Sequence, residues 1–162
     1  MENSFKASYP KLSRIKHNSY YLGLVQNLFC GKEGKIVSFL QLSYQANVLS
    51  VFGNRFSSFF SKLANDELFH IKLLSEAIVA LGGDPVLTDN KGLWLSGRWL
   101  DYVKDVKQML WLNIELKQKT IIDYKTTISK IDDVQVKNVL NLILKDEQEM
   151  LNALKEELKS IS

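Results

Sequence analysis

The chain has 162 residues, of which 46% are hydrophobic and 24% charged, and a formal net charge of +3. That balance excludes wholesale disorder, and the length predicts one domain able to bury roughly 70% of its unfolded surface. The single cysteine, Cys30, rules out an intrachain disulfide framework and suits a reducing compartment, and with His17 and His70 it cannot build a His/Cys zinc site. Any metal would need carboxylates. The lysines are scattered rather than clustered, so nucleic-acid binding draws no support from them. No apolar run approaches the ~18 residues of a membrane span. Met1–Pro10 lacks the apolar core of a signal peptide. A soluble, cytoplasmic protein without membrane or nucleic-acid partners is expected.

Residues 1–17 read as an N-terminal extension and 18–162 as a helical bundle. The first predicted helix runs over 18–52, where Tyr21, Val25, Leu28, Lys35, Phe39, Leu42, Ala46 and Leu49 recur at helical period. Gly31 and Gly34 interrupt it and predict a bend or break. Gly53 and Asn54 can end this helix and cap the next. The second helix, 55–81, carries Phe60, Leu63, Leu74, Ile78 and Leu81, with Glu67 and His70 inside the same stripe. Leu81-Gly82-Gly83-Asp84-Pro85 is a helix stop, glycine at the cap and proline after it. A connection over 83–97 follows, with Trp94 and Leu95 as expected anchors.

From Arg98 to the C-terminus there is neither proline nor glycine. The third helix is therefore predicted over 98–130, with Val103, Val106, Leu110, Ile114, Ile121, Tyr124 and Ile128 as its stripe and Lys117 within it. A tight turn at 131–134 separates it from the fourth, 134–160, and Asp132 with Gln135 has the spacing of a capping box. Two hairpins with short turns, joined by a longer crossover, make an all-α, antiparallel four-helix bundle.

The hairpins repeat one another. Asp66-Glu67-Leu68-Phe69-His70 on the second helix corresponds to Asp146-Glu147-Gln148-Glu149-Met150 on the fourth, with methionine in place of histidine. Lys35 precedes Glu67 and Lys117 precedes Glu147 at nearly the same separation, each lysine inside an apolar stripe. Glu and His at i, i+3 project from one helix face and can share an ion. Alone, that pair is common on solvated helices. Within the core stripe it must be satisfied from across the bundle, since an unpaired buried charge is costly.

Several landmarks together carry a family resemblance: Tyr9-Pro10, Asn18 to Gly31, Gln41-Leu42-Ser43-Tyr44-Gln45, Glu67-x-x-His70, the Leu81–Pro85 stop, Asn113-Ile114, Asp123-Tyr124 and Asp146-Glu147. The sequence resembles the ferritin-like superfamily, the group of rubrerythrins, bacterioferritins and manganese catalases. The resemblance implies a dinuclear iron or manganese site built from one Glu on the first helix, Glu-x-x-His on the second, one Glu on the third and Glu-x-x-His on the fourth. Glu67, His70 and Glu147 match that pattern. Met150 replaces the second histidine, and Lys35 and Lys117 fall where the other two glutamates belong. Glu33 and Glu115 do not compensate, because each lies two residues, about 200° of helix, from the lysine it would replace.

The residues therefore predict a degenerate site: Lys35, Glu67, His70, Lys117, Glu147 and Met150 as a vestigial metal-site cluster, with Asp66, Asp146, Tyr44 and Tyr124 around it. Glu67 and Glu147 are expected to face one another at the bundle midpoint, with both ammonium groups bridging them. The resemblance further implies that His70 donates to Asp146. Two carboxylates against two ammonium groups are neutral without metal, and a thioether is a poor ligand for Fe(II) or Mn(II). The expected cofactor is none, with iron or manganese as the alternative. The leading functional reading is a non-catalytic oligomeric or partner-binding module; the alternative is an active di-iron or di-manganese oxidoreductase. Lysine-based covalent chemistry ranks third, because the neighbouring carboxylates favour the ammonium form. Met109, Leu112 and Leu116 form a second apolar stripe around Trp111, an expected dimer or partner surface unless the N-terminal segment or the crossover covers it. Cys30 reads as a packing residue.

Overall fold

The computed structural model describes residues 12–13 and 15–161. Tyr9 and Pro10 lie outside the described residues, as does most of the expected extension. The chain forms α1 (Ser19–Cys30), α2 (Lys35–Ser50), α3 (Phe56–Ala80), α4 (Val106–Ile128) and α5 (Val134–Ser160), with a 3₁₀ turn at Gly97–Trp99. Helices α1 and α2 together supply the first rod of an antiparallel four-helix bundle, and among the described residues there is no strand. The first rod is broken at residues 31–34, where Gly34 N–H donates to the Gly31 carbonyl and Ser38 N–H to that of Gly34. Lys35 thus opens α2 at the bundle midpoint.

The apolar stripes do not meet in one continuous core. One cluster joins Val25 and Leu28 of α1, Leu73, Leu74, Ala77 and Ile78 of α3, Tyr124 of α4 and Val136, Leu140 and Ile143 of α5. The other joins Leu42, Ala46 and Leu49 of α2, Phe60 and Leu63 of α3, Met109, Leu110 and Ile114 of α4, and Met150 and Leu154 of α5. Each half of the bundle is packed as a separate hydrophobic layer. Between the two layers lie the buried charges.

The helix ends are set by local chemistry. At the end of α3, Gly82 at φ +93° lets its own N–H reach the Val79 carbonyl and that of Gly83 the Ile78 carbonyl, a Schellman closure. An added Cβ at Gly82 would come within 2.8 Å of the His17 ring. The α4–α5 turn differs from the capping box expected at Asp132. Asp133 is the cap, its Oδ1 accepting from Gln135 N–H and Val136 N–H, both at 3.0 Å. The third rod also starts later than 98. Asp105 Oδ1 accepts from Gln108 N–H, and Gln41 clamps the Asp101 backbone from both sides at 2.9 and 2.7 Å. These side-chain contacts win over the helical propensity of 98–105.

The crossover is pinned by Gln26, whose Nε2 donates to the carbonyls of Val86 and Thr88. Leu95 packs on the first core cluster. Trp94, also expected to anchor, is exposed. Among the described residues, no helix is long and apolar enough to cross a membrane.

Candidate functional site

Four rods place one charged side chain each at the midplane. Lys35 begins α2, Glu67 lies midway along α3, Lys117 midway along α4 and Glu147 midway along α5. All four are essentially sealed from solvent, at 0–1% exposure. Lys35 Nζ is 2.7 Å from Glu147 Oε1 and 3.2 Å from Glu67 Oε2. Lys117 Nζ contacts Glu67 Oε1 directly and is 3.0 Å from Glu147 Oε2. Each ammonium therefore touches both carboxylates, and each carboxylate both ammonium groups. The two lysines are held differently. Lys117 donates hydrogen bonds, whereas the Lys35 contacts are ion pairs in which Glu147 Oε1 gains no aligned hydrogen bond. Lys35 Nζ also lies 5.3 Å from the centre of the Tyr124 ring, within cation–π range.

His70 extends the cluster outward. Its Nε2 is 3.0 Å from Asp146 Oδ2; a carboxylate can only accept, so Nε2 carries a proton. Its Nδ1 faces inward, 3.4 Å from both Glu67 Oε2 and Glu147 Oε1. Burial opposes every charge here, and pairing outweighs it. Burial pushes the Glu67 carboxyl up, yet Lys117, Lys35 and His70 hold it well below the usual range. Burial and the charge of Glu67 push Glu147 up, but Lys117, Lys35 and His70 bring it down to about 2. Burial pulls His70 down, but Asp146, Glu147 and Glu67 raise it to about 10. The imidazolium, two ammonium groups and three carboxylates balance to zero net charge.

Ser38, one turn after Lys35 on α2, is a member that the sequence reading missed. Its hydroxyl donates to Glu67 Oε1 at 2.7 Å and accepts from Lys117 Nζ at 3.4 Å. The spacing of three from Lys35 was the available signal. Met150 is buried among the second core cluster and makes up part of the wall beside the site. Asp66 is partly buried, and among the described residues it takes part in no hydrogen bond; burial raises its carboxyl above the ordinary range. Tyr124 sits against the cluster, but Tyr44 turns away and stacks edge-on with Tyr102 at 5.1 Å. Glu115 is exposed, and Glu33 lies in the break before α2.

A family model described as a ferritin-like domain matches residues 36–162, most of the chain, and the protein belongs to that family. No curated protein matches it in sequence. Two solved structures of KatB, a manganese catalase from Anabaena, superpose with a TM-score of 0.85 at 19% identity, covering 99% of this chain and 81% of that one. At that identity the likeness establishes the shared fold.

The expectation of no cofactor needs correction. Glu67, His70 and Glu147 each offer a ligand atom, and these atoms lie within 4.8 Å of one another in a buried group. His70 is also posed as metal-binding histidines are, one nitrogen toward two carboxylates and the other donating to a third. These features show that the buried group could hold a metal ion. Counting charges alone missed that ammonium groups neutralise the carboxylates without removing them as ligands. Two metal ions do not fit this donor set, which has two carboxylates, one imidazole and two interposed ammonium groups. One ion fits. Glu67, Glu147 and His70, the last once its Nδ1 proton is displaced, would hold it, and it would supply Lewis acidity at the bundle centre.

Proposed function

We propose that this ferritin-like protein has no dinuclear redox centre, and that its midplane cluster takes up a single iron or manganese ion in competition with two resident ammonium groups. The observation that carries the reading is the cross-bridging of Glu67 and Glu147 by both Lys35 and Lys117. Like charges 4 Å apart repel by about 4 kcal/mol at an effective dielectric of 20, so a divalent ion must displace positive charge to enter. A second ion would meet the same obstacle with no carboxylates left to hold it. On this reading the bundle is an oligomeric or partner-binding module, and Trp111 and Ile122, both exposed on one face of α4, are its association surface. Met109 does not belong to that surface, being fully buried in the second core cluster.

The buried Glu67–His70–Glu147 group favours one competing reading, a metal-dependent oxidoreductase of the catalase or rubrerythrin kind. Metal analysis after growth with added manganese and iron, followed by assay of peroxide disproportionation, separates the two. At most one ion per chain, no oxo-bridge absorption and no turnover are expected. Two ions per chain with turnover would overturn the proposal. The oligomer is tested independently by light scattering of Trp111→Lys beside the unmodified protein, which is expected to lose self-association.

A further inference from the structure

Beside His70, α3 and α5 part to leave a cleft of about 180 Å³. Lys62, Leu63, Asp66 and Phe69 line one side, and Glu149, Met150 and Ala153 the other. His70 and Asp146 close its inner end. Leu63, Phe69, Met150 and Ala153 give it an apolar floor, and charged groups gather at its edges. The volume is below the roughly 300–1,000 Å³ of drug-sized ligand sites, so only a small molecule is accommodated.

The charges select its kind. Asp146 is committed to the His70 imidazolium at 3.0 Å. That leaves Asp66 and Glu149 against Lys62, one negative charge in excess. Lys62 attracts Asp66 from one turn earlier on α3, yet among the described residues it forms no ion pair with it. The reason lies in the repeat. Asp146 accepts a hydrogen bond from the histidine of the opposite helix, whereas the corresponding donor for Asp66 is absent, because Met150 occupies that position. A half-buried carboxylate with no hydrogen-bond donor among the described residues is thereby left at the wall of an apolar cleft.

We infer that this cleft binds a small organic monocation, an amine with a compact apolar body, whose ammonium donates to Asp66 and whose body rests on Leu63, Phe69, Met150 and Ala153. One positive charge restores neutrality around the cleft. The aromatic ring and the thioether are both favourable neighbours for a cation with an apolar body. The assignment goes beyond the proposed metal chemistry, since none of the groups expected to contact the ammonium is among Glu67, His70 and Glu147.

Benzylamine is a suitable probe, with benzyl alcohol as its neutral counterpart and benzoate as an anionic one. Each is titrated into the ¹⁵N-labelled protein as purified, and backbone amide shifts are followed. Benzylamine should shift amides of residues 62–70 and 146–153 saturably, benzyl alcohol should bind at least about tenfold more weakly, and benzoate should not bind. Asp66→Asn should weaken benzylamine at least about tenfold. Ala153→Leu, which fills the floor without touching a charge, should abolish saturable binding. Equal affinities for benzylamine and benzyl alcohol would show an unselective apolar cavity. An absence of saturation by about 10 mM benzylamine, or unchanged affinity in both variants, would equally overturn the assignment.

Discussion

On α3, Glu67 is followed one turn later by His70, whose Nε2 donates to Asp146 across the helix interface; on α5, Glu147 is followed by Met150, which offers Asp66 no donor. The two halves share the same register of carboxylates, and both glutamates reach the midplane. What differs is the completion of each half. One aspartate is neutralised, and the other is left at a cleft. The first helices of the two halves differ too. Lys117 donates to Ser38, Glu67 and Glu147, whereas Lys35 relies on ion pairs and the Tyr124 ring. Sequence repetition therefore fixes where charges stand, and single substitutions within it decide whether each charge is satisfied.

The largest expected effect comes from stranding a buried charge. Lys117→Met, measured by urea unfolding with chelator present, should destabilise by about 3–5 kcal/mol, because Glu67 and Glu147 lose an aligned partner in a sealed interior. Lys35→Met should cost less, in proportion to its poorer alignment. Equal losses would show that the two ammonium groups are equivalent and would remove the asymmetry between the halves.

Making α3 like α5 is the next step. His70→Met should cost about 1.5–3 kcal/mol through the lost charged hydrogen bond to Asp146. The pH profile separates the contributions. Glu147 is lowered from 4.5 to about 2, so its stabilisation is present above about 4.5 and declines as pH falls toward 2. His70 is raised from 6.5 to about 10, so its stabilisation is full below 6.5 and is lost as pH rises through 10. His70→Met should remove the loss through pH 10 and weaken the acid limb, since His70 helps lower Glu147, while the loss from Lys117 at still higher pH remains. An unchanged alkaline limb would mean that His70 is neutral in the folded protein.

The reverse change tests the comparison from the other side. Met150→His supplies Asp66 with a donor and the site with a second imidazole. Divalent-metal affinity, followed by calorimetry, should rise by about tenfold or more. No gain would show that the ammonium groups, rather than the missing histidine, limit metal uptake.

Much of this was legible in the sequence, for identifiable reasons. Apolar spacing locates all four rods, and the placement of Glu67, Lys35, Lys117 and Glu147 within those stripes marks them as a group. Gly31 and Gly34 announced the break in the first rod, and Gly82 and Gly83 the end of α3. Other features depended on contacts distant in sequence. The late start of α4 follows from Gln41 holding Asp101. The stripe of the first predicted helix places Tyr44 near the site, but Tyr102 of the segment leading into α4 captures it. The inward Nδ1 of His70, on which the metal reading depends, is a ring orientation, and residue spacing does not encode it.

The smallest predicted effect compares the turns that close the two hairpins. In the α2–α3 turn, Gly53 adopts φ +61° and Asn54 Oδ1 accepts a single hydrogen bond, from Phe56 N–H at 2.9 Å. In the α4–α5 turn, Asp133 Oδ1 accepts two, from Gln135 and Val136, and its negative charge faces the start of a 27-residue helix. Asp133 thus combines capping with a favourable charge at the positive end of the helix dipole. Asp132, one residue earlier, is exposed, and among the described residues only its backbone N–H is engaged, donating to the Tyr21 hydroxyl. Asp133→Ala should therefore cost about 1 kcal/mol, seen as a drop of about 2–4 °C in Tm. Asn54→Ala should cost less, and Asp132→Ala should leave the transition within about 1 °C, since it deletes no capping bond. A larger loss at Asp132 than at Asp133 would move the cap back by one residue and make the capping-box spacing with Gln135 the true start of α5.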